Sequence, residues 1–311
     1  MNRKYVFGPV RSRRLGISLG VDLVTPKTCP LDCIYCEARA TTNLTLVRKE
    51  YVPVKQVISE LDATLRTIEP PDFITFSGAG EPTLNSGIGQ VVDFLKANYP
   101  QYRVCLLTNG VLFNDPELRR EIAAVDLVIP SLDASNEEEY REINRPVTGS
   151  TLAGLVDGIA EFAREHTKEL LVEIFIVPGI NDGPASISRF VELIGKIRPD
   201  GIQLNTIDRP GVVPGIRTAS PETLQAFADA LSPICPVTGV KPLKGGDRHS
   251  LSTSLEENLL DIVKHRKLTV NGLSKVSGIP VGELEPLILR LEDREFLDVD
   301  ASGLIVPRCS Q

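Results

Sequence analysis

The sequence predicts an α/β fold: a partial, TIM-like (β/α)6 barrel carrying a small C-terminal winged-helix domain. Three observations predict it. Short apolar runs alternate with longer helical patterns, the sequence form of repeated βα units and a parallel sheet. Each run ends in a polar or glycine-bearing cluster, as strands do at the C-terminal face of parallel barrels, where sites are built. Beyond residue 250 the pattern changes to three helices and a terminal hairpin, and 311 residues suit one large domain with a smaller one.

An arm over 1–16 leads into a first strand at Ile17–Thr25, and further strands are predicted at Phe73–Ser77, Arg103–Thr108, Leu127–Ser131, Leu170–Val177 and Ile202–Thr206. Helices are predicted near 53–69, 86–98, 115–123, 151–165, 186–197 and 221–231. Each pair has the size of a βα unit with its return loop, and six units complete a barrel domain over 1–236. A Gly-, Pro- and Lys-rich linker follows over 237–249, with Gly239, Pro242, Gly245 and Gly246, and ends on His249, read as solvent-facing. The C-terminal domain spans 250–311. There Ser254-Leu255-Glu256-Glu257 reads as a capping box opening a helix to about Arg266. A short helix around Leu273–Ser277, a third over Glu283–Arg294, and β-type residues on either side of Ala301-Ser302-Gly303 complete the winged-helix pattern.

Apolar residues make up 42% of the chain and charged ones 24%, which excludes a disordered or fibrous protein. No apolar run reaches the roughly 18 residues a membrane helix needs. Met1-Asn2-Arg3-Lys4-Tyr5 leads into no signal core, so a cytoplasmic protein with no membrane partner is expected. A net charge of −7 excludes a general coat of positive charge. The first fifty residues are the exception: nine basic and four acidic side chains give them a local basic character. In the third C-terminal helix, Glu283, Glu285, Glu292 and Asp293 outnumber Arg290 and Arg294, and residues 251–311 hold seven basic against ten acidic side chains. That sign is wrong for phosphate contacts. DNA is therefore not an expected partner; protein docking, peptide recognition or lid-building is.

Six cysteines stand at 29, 33, 36, 105, 235 and 309. A reducing cytosol would not keep a disulfide framework. Three of the six crowd into Cys29-Pro30-Leu31-Asp32-Cys33-Ile34-Tyr35-Cys36, where thiolates can converge on one metal centre. Two metal readings stay open. Structural zinc takes four closed ligands, commonly from two pairs, and no partner pair is visible; His166, His249 and His265 are isolated. Three thiolates without a fourth suit a [4Fe–4S] cubane with one open iron. Cys105 lies within a predicted strand and reads as a small core residue. Cys235 and Cys309 stand alone, so one cluster is expected.

The CxxxCxxC spacing, with Tyr35 before the last cysteine, resembles the signature of the radical S-adenosylmethionine (radical SAM) superfamily. The resemblance implies that Cys29, Cys33 and Cys36 hold a [4Fe–4S] cluster. Its free iron would chelate S-adenosylmethionine, and an electron would cleave the sulfonium to methionine and a 5′-deoxyadenosyl radical that abstracts hydrogen from a substrate. It also implies a reductant protein such as flavodoxin or ferredoxin. The longer stretch Tyr5-Val6-Phe7-Gly8-Pro9-Val10, Ser12-Arg13-Arg14-Leu15-Gly16 and Ser18-Leu19-Gly20-Val21-Asp22 resembles a bacterial and archaeal group related to tRNA wyosine-forming radical SAM enzymes. Those enzymes carry a second set of cluster cysteines ahead of the barrel, and this sequence has none before Cys29. RNA and protein or peptide are the substrate classes in view, and a zinc-stabilised winged-helix regulator is the alternative outside the enzyme class.

The resemblance covers roughly 15–235 and assigns the remaining candidates by strand end. After the second strand, Gly78, Ala79, Gly80 and Glu81 match the superfamily's glycine-glycine-glutamate-type motif, whose backbone contacts the cofactor amino group. Thr108 and Asn109 follow the third strand at a cofactor-facing position. Ser131 and Asp133 follow the fourth, suited to ribose hydroxyls or the methionine end; Asp133 reads equally well as a helix cap. Val177 and Asn181 follow the fifth, where the family packs against adenine. Strand-end placement by itself, with no role assigned, makes Asn205, Asp208 and Arg209 after the sixth strand pocket candidates. Tyr35 can lay its ring beside adenine or pack the cluster loop on the rim. Arg11, Arg13 and Arg14 read as a solvated basic arm or as partners of a phosphate or carboxylate.

Overall fold

The computed structural model describes residues 4–12, 15–207, 211–239, 256, 259–260, 262–263, 268–277, 279–294 and 296–308. Its main feature is an eight-stranded sheet whose strands are neighbours in sequence order. They are β1 (Val6–Ser12), β2 (Gly16–Val21), β3 (Phe73–Phe76), β4 (Arg103–Thr108), β5 (Leu127–Pro130), β6 (Glu169–Ile176), β7 (Gly201–Thr206) and β8 (Val237–Gly239). From β2 to β8 every pairing is parallel; only β1 runs antiparallel, on β2. A helix lies in each of the six parallel connections: α1 (Val54–Leu65), α2 (Ile88–Asn98), α3 (Pro116–Glu121), α4 (Leu152–Glu165), α5 (Pro184–Ile197) and α6 (Pro221–Leu231). This is an α/β fold with a parallel sheet.

The alternation along each strand splits its side chains between two environments. Ile74, Phe76, Val104, Leu106, Val128 and Val172 join the large core beneath the helices. Phe73, Cys105 and Leu127, with Leu15 and Ile129, form a second, smaller apolar cluster on the other face. Helix periodicity matches the first environment: α4 buries Leu152, Leu155, Val156, Ile159 and Phe162, and the hydroxyl of Thr151 accepts the Gly154 N–H at 3.1 Å to cap its start. Cys105 is fully buried.

Two segments depart from the sequence reading. The arm over 1–16 contains a strand, β1. Gly8-Pro9 interrupts its pattern and the register shifts between Phe7 and Val10, so no simple alternation marks it. One Oε1 of Glu60 on α1 accepts the N–H groups of Lys4, Tyr5 and Val6, each at 2.8 Å, and fixes where β1 begins. The linker at 237–249 opens with β8, whose three residues extend the parallel sheet beside β7.

Beyond it, β9 (Leu268–Thr269), α7 (Val270–Ser277), α8 (Val281–Asp293), β10 (Leu297–Val299) and β11 (Leu304–Pro307) form a unit with its own three-stranded antiparallel sheet, ordered β9-β11-β10. Leu273, Leu284, Leu287, Ile288, Leu291 and Ile305 build its core, and Val10 of β1 belongs to that same cluster. The capping box at Ser254, His249, His265 and Cys309 lie outside the described residues.

Candidate active site

The chain leaves β2 at Val21 and crosses the C-terminal strand ends as a long loop. Cys29 ends a two-residue parallel pairing of Thr28–Cys29 with Asn43–Leu44. Downstream, Asp32 N–H donates to the Asn144 carbonyl and Ile34 N–H to the Ile143 carbonyl, both at 2.9 Å, and Val147 N–H reaches back to Pro30 at 2.9 Å. Cys36 N–H closes a turn on the Cys33 carbonyl at 3.1 Å, and the Asp32 carboxylate accepts Thr41 N–H at 2.7 Å. The cysteine loop is therefore pinned on both flanks before any metal arrives.

Each of the three sulfurs meets one nitrogen donor. Asn109 Nδ2 points at Cys29 Sγ at 3.5 Å, Asn144 Nδ2 at Cys33 Sγ at 3.3 Å, and Lys27 Nζ at Cys36 Sγ at 2.8 Å. All three sulfurs line one cavity of about 320 Å³. Burial pushes the Cys29 thiol up to about 12, with Lys27 opposing, and burial followed by the Asp133 charge holds Cys33 well above the ordinary thiol range. Burial alone would lower the Lys27 ammonium; Cys36 and Cys29 more than reverse that and raise it. Among the described residues no three His, Cys, Asp or Glu side chains converge on one metal ion. Three separated sulfurs on one cavity, each with a donor, fit a polynuclear group better than a single tetrahedral ion.

The glycine-rich turn after β3 packs against the root of this loop. Gly78 has φ of +143°, and a Cβ there would lie 2.5 Å from the Asp22 carboxyl. A Cβ on Gly80 would lie 2.1 Å from the Thr28 carbonyl oxygen, so only glycine allows this approach. Ala79 N–H donates to Asp22 Oδ2 at 2.9 Å, and Glu81 N–H donates to the Thr28 carbonyl at 3.0 Å. The buried Glu81 carboxylate accepts the Thr83 and Thr108 hydroxyls, each at 2.7 Å, and Asn109 N–H at 2.8 Å. Burial raises its pKa against the pull of those donors. Glu81 thus holds Asn109 in place, and Asn109 in turn reaches Cys29.

A second polar knot lies behind Tyr35. The Tyr35 hydroxyl donates to Asp133, and its ring stacks on Phe175 with centroids 3.9 Å apart. Asp133 also accepts from Asn144 Nδ2 at 2.9 Å and from Phe175 N–H at 3.1 Å. Burial is the main cause lifting Asp133 to about 6, with Glu173 adding to it and the Tyr35 and Asn144 hydrogen bonds opposing. Asn144 therefore spans Cys33 and Asp133 with one amide nitrogen.

Gly78, Gly80 and Glu81 share the cavity wall with the cysteines, and Tyr35, Thr108, Asn109, Ser131 and Asn205 also line it. Ala79, Asp133 and Val177 lie behind the wall. Asp133 does not cap the next helix; Asn136 does, accepting Glu138 N–H and Glu139 N–H at 3.0 Å. Asn181 is fully buried, accepts Val177 N–H at 2.7 Å and donates to the Asp133 and Phe175 carbonyls at 2.7 and 2.8 Å. Arg13, Arg14, Asp208 and Arg209 lie outside the described residues, as does the side chain of Arg11. Sequence reasoning missed Lys27 and Glu173 in the wall, the Ser18–Thr75 hydroxyl pair at 2.7 Å, and Asn144. One signal was available for Glu173: a carboxylate inside the otherwise apolar Leu170–Val177 run, now 7% exposed on β6.

The radical SAM superfamily model matches residues 23–193. A protein of Brachyspira hyodysenteriae named GTPase Obg is 37% identical over 209 residues, covering 67% of this chain, although the chain spans only 31% of that protein's length. A UPF0026 protein of Methanocaldococcus jannaschii is 30% identical over 264 residues, covering 82% of this chain and 80% of its own. Among solved structures, a radical SAM methyltransferase from Sphaerobacter thermophilus shares the fold with a TM-score of 0.54 at 17% identity, covering 71% of this chain and 65% of that one. The chain belongs to the radical SAM superfamily and, within it, to the UPF0026 group. It is an enzyme of this class, which sets aside the reading as a zinc-stabilised regulator.

Proposed function

We propose that this enzyme uses a single [4Fe–4S] cluster, held by Cys29, Cys33 and Cys36, to generate a 5′-deoxyadenosyl radical from S-adenosylmethionine. One observation carries this: the three sulfurs open together on a cavity whose rim is the Gly78–Glu81 turn and the ends of the parallel strands. When bound, the cluster supplies the electron and the open coordination position for sulfonium cleavage. The chain's own residues do the rest. Gly78 and Gly80 let backbone approach the cofactor, with Ala79 behind them and Glu81 locking Thr108 and Asn109 in register. Ser131 and Asn205 offer hydrogen bonds from the opposite wall. Asp133 fixes the Tyr35 ring, and Val177 packs behind Phe175. Apolar Leu107, Ile129 and Leu15 line the cavity and keep water from a radical.

On this reading the sheet and its helices form a partial (β/α)6 barrel that runs through β8 to Gly239, with a winged-helix module over 250–311. A one-electron donor such as flavodoxin or ferredoxin supplies the reducing equivalent, and the protein works in the cytoplasm. The basic first fifty residues favour an RNA substrate; a protein or peptide is the competing one. Anaerobic protein is expected to bind about four irons and four sulfides, and to form 5′-deoxyadenosine with dithionite and S-adenosylmethionine. Cys33→Ala should lose both the cluster absorbance and the product. Stoichiometric zinc in colourless wild-type protein, or product from Cys33→Ala, would overturn the assignment. Stimulated turnover by a tRNA fraction rather than a peptide fraction selects between the two substrate classes.

A further inference from the structure

The donors that meet the three sulfurs differ in charge. Cys29 and Cys33 face the neutral carboxamides of Asn109 and Asn144, while Cys36 faces the ammonium of Lys27. Lys27 is 5% exposed, and its Nζ lies 2.8 Å from the sulfur. Its main chain is fixed: Lys27 N–H donates to the Thr42 hydroxyl at 3.0 Å, and its carbonyl accepts Thr42 and Asn43 N–H at 3.1 and 3.0 Å. Burying an ammonium costs several kcal/mol unless negative charge meets it. Among the described residues no carboxylate forms an ion pair with Lys27. The group at hydrogen-bond distance from Nζ is the Cys36 sulfur, with Cys29 and Cys33 on the same cavity.

Resting on the cluster reading above, we propose that Lys27 is a positioning residue that sets the reduction potential of the centre bound by Cys29, Cys33 and Cys36. Three thiolates on a [4Fe–4S]²⁺ core carry a net charge of about −1, which becomes about −2 when one electron arrives from a low-potential donor; no bond is made or broken and no proton moves. A fixed cation at hydrogen-bond distance from one sulfur stabilises the reduced state more than the oxidised one. It therefore raises the potential and eases the demand on the donor. The amides of Asn109 and Asn144 polarise their sulfurs in the same sense but without a full charge. The direction of the effect follows from charge alone.

The test is an EPR-monitored reductive titration of anaerobically reconstituted wild type, Lys27→Met, Lys27→Gln and Lys27→Arg, without added S-adenosylmethionine. At the poise that half-reduces wild type, the reduced-to-oxidised ratio should fall about tenfold or more in Lys27→Met, equivalent to ~59 mV for one electron. Lys27→Gln, which keeps an N–H but loses the charge, should fall nearly as far, and Lys27→Arg should stay within about threefold of wild type. If Lys27→Met does not assemble a centre, Lys27→Gln carries the same comparison. Neutral variants titrating with wild type would overturn the proposal. So would variants that keep the potential and lose only affinity for S-adenosylmethionine, because Lys27 would then be a cofactor carboxylate anchor. Wild type lacking iron–sulfur absorbance and an EPR signal would instead defeat the cluster reading.

Discussion

Asn144 illustrates how much one side chain does here. Its amide nitrogen serves Cys33 and Asp133 together, while its backbone carbonyl accepts Asp32 N–H. Asn144→Leu keeps the branched shape of the side chain and removes its N–H donors, leaving a buried carboxylate short of a partner. Urea denaturation should show a loss of about 1–3 kcal/mol, and iron content after reconstitution should fall; unchanged values for both would show that the amide is dispensable. Asp126 gives a pH signature away from the cavity. Burial alone would push its carboxyl up, but Lys96, Val104 N–H at 2.7 Å and Lys168 at 2.9 Å hold it below the usual range. Its folded pKa is thus depressed, so its stabilisation is full above the ordinary carboxylate range and vanishes as pH falls through the folded value. Asp126→Asn should cost about 1–2 kcal/mol near neutrality. The gap to wild type should close below about pH 4, and a gap that held constant down the acid limb would contradict the assignment. At this scale the sequence was partly legible. The cysteines announce themselves by spacing and Glu173 by its place in an apolar run, whereas Lys27 and Asn144 acquire their places only when distant segments converge.

Among the elements, the parallel strands were the most legible. Phe73, Arg103 and Leu127 begin β3, β4 and β5 at their expected positions, because strands buried on both faces read as unbroken apolar runs between turn signals. Capped helices were legible for a similar reason, since Asp115, Thr151 and Ser220 each accept a backbone N–H at a helix start. Removing such a cap tests the reading: Thr151→Ala should lower stability by about 1 kcal/mol, measured by denaturant midpoint with unchanged slope. No loss would mean that packing alone defines the start of α4. β1 and β8 were illegible, the first because Gly8-Pro9 masks its alternation, the second because three residues carry no period. The segment over Tyr140–Asn144 was illegible too; it is wound as a π-helical turn after the short Glu137–Glu139 helix, and its position against the cysteine loop depends on contacts with Asp32 and Ile34.

For the whole molecule, two hydrophobic bodies meet at β1. The larger lies between sheet and helices, and the smaller fills the C-terminal unit and takes in Val10. Leu291→Ala empties a fully buried position in the smaller body and should cost about 2–5 kcal/mol. Hydrogen exchange should show that loss over 268–308, with protection across β3 to β7 retained; a loss spread evenly over the chain would mean that the two bodies unfold as one.

Among the described residues the run of neighbouring strands ends at β1, and the outer strand of a sheet is a template on which another chain can add itself unless it is covered. This one is blunted by Gly8-Pro9 and a register shift, gripped at its start by Glu60, and contacted by α7 of the C-terminal unit. Val6, Phe7 and Val10 of this strand are buried, and Val10 is shared with the core of the small module, which thus helps to cover the strand. Removing residues 268–308 should bare that strand and raise self-association in sedimentation; a truncated protein that associates no more than the full chain would contradict the cover.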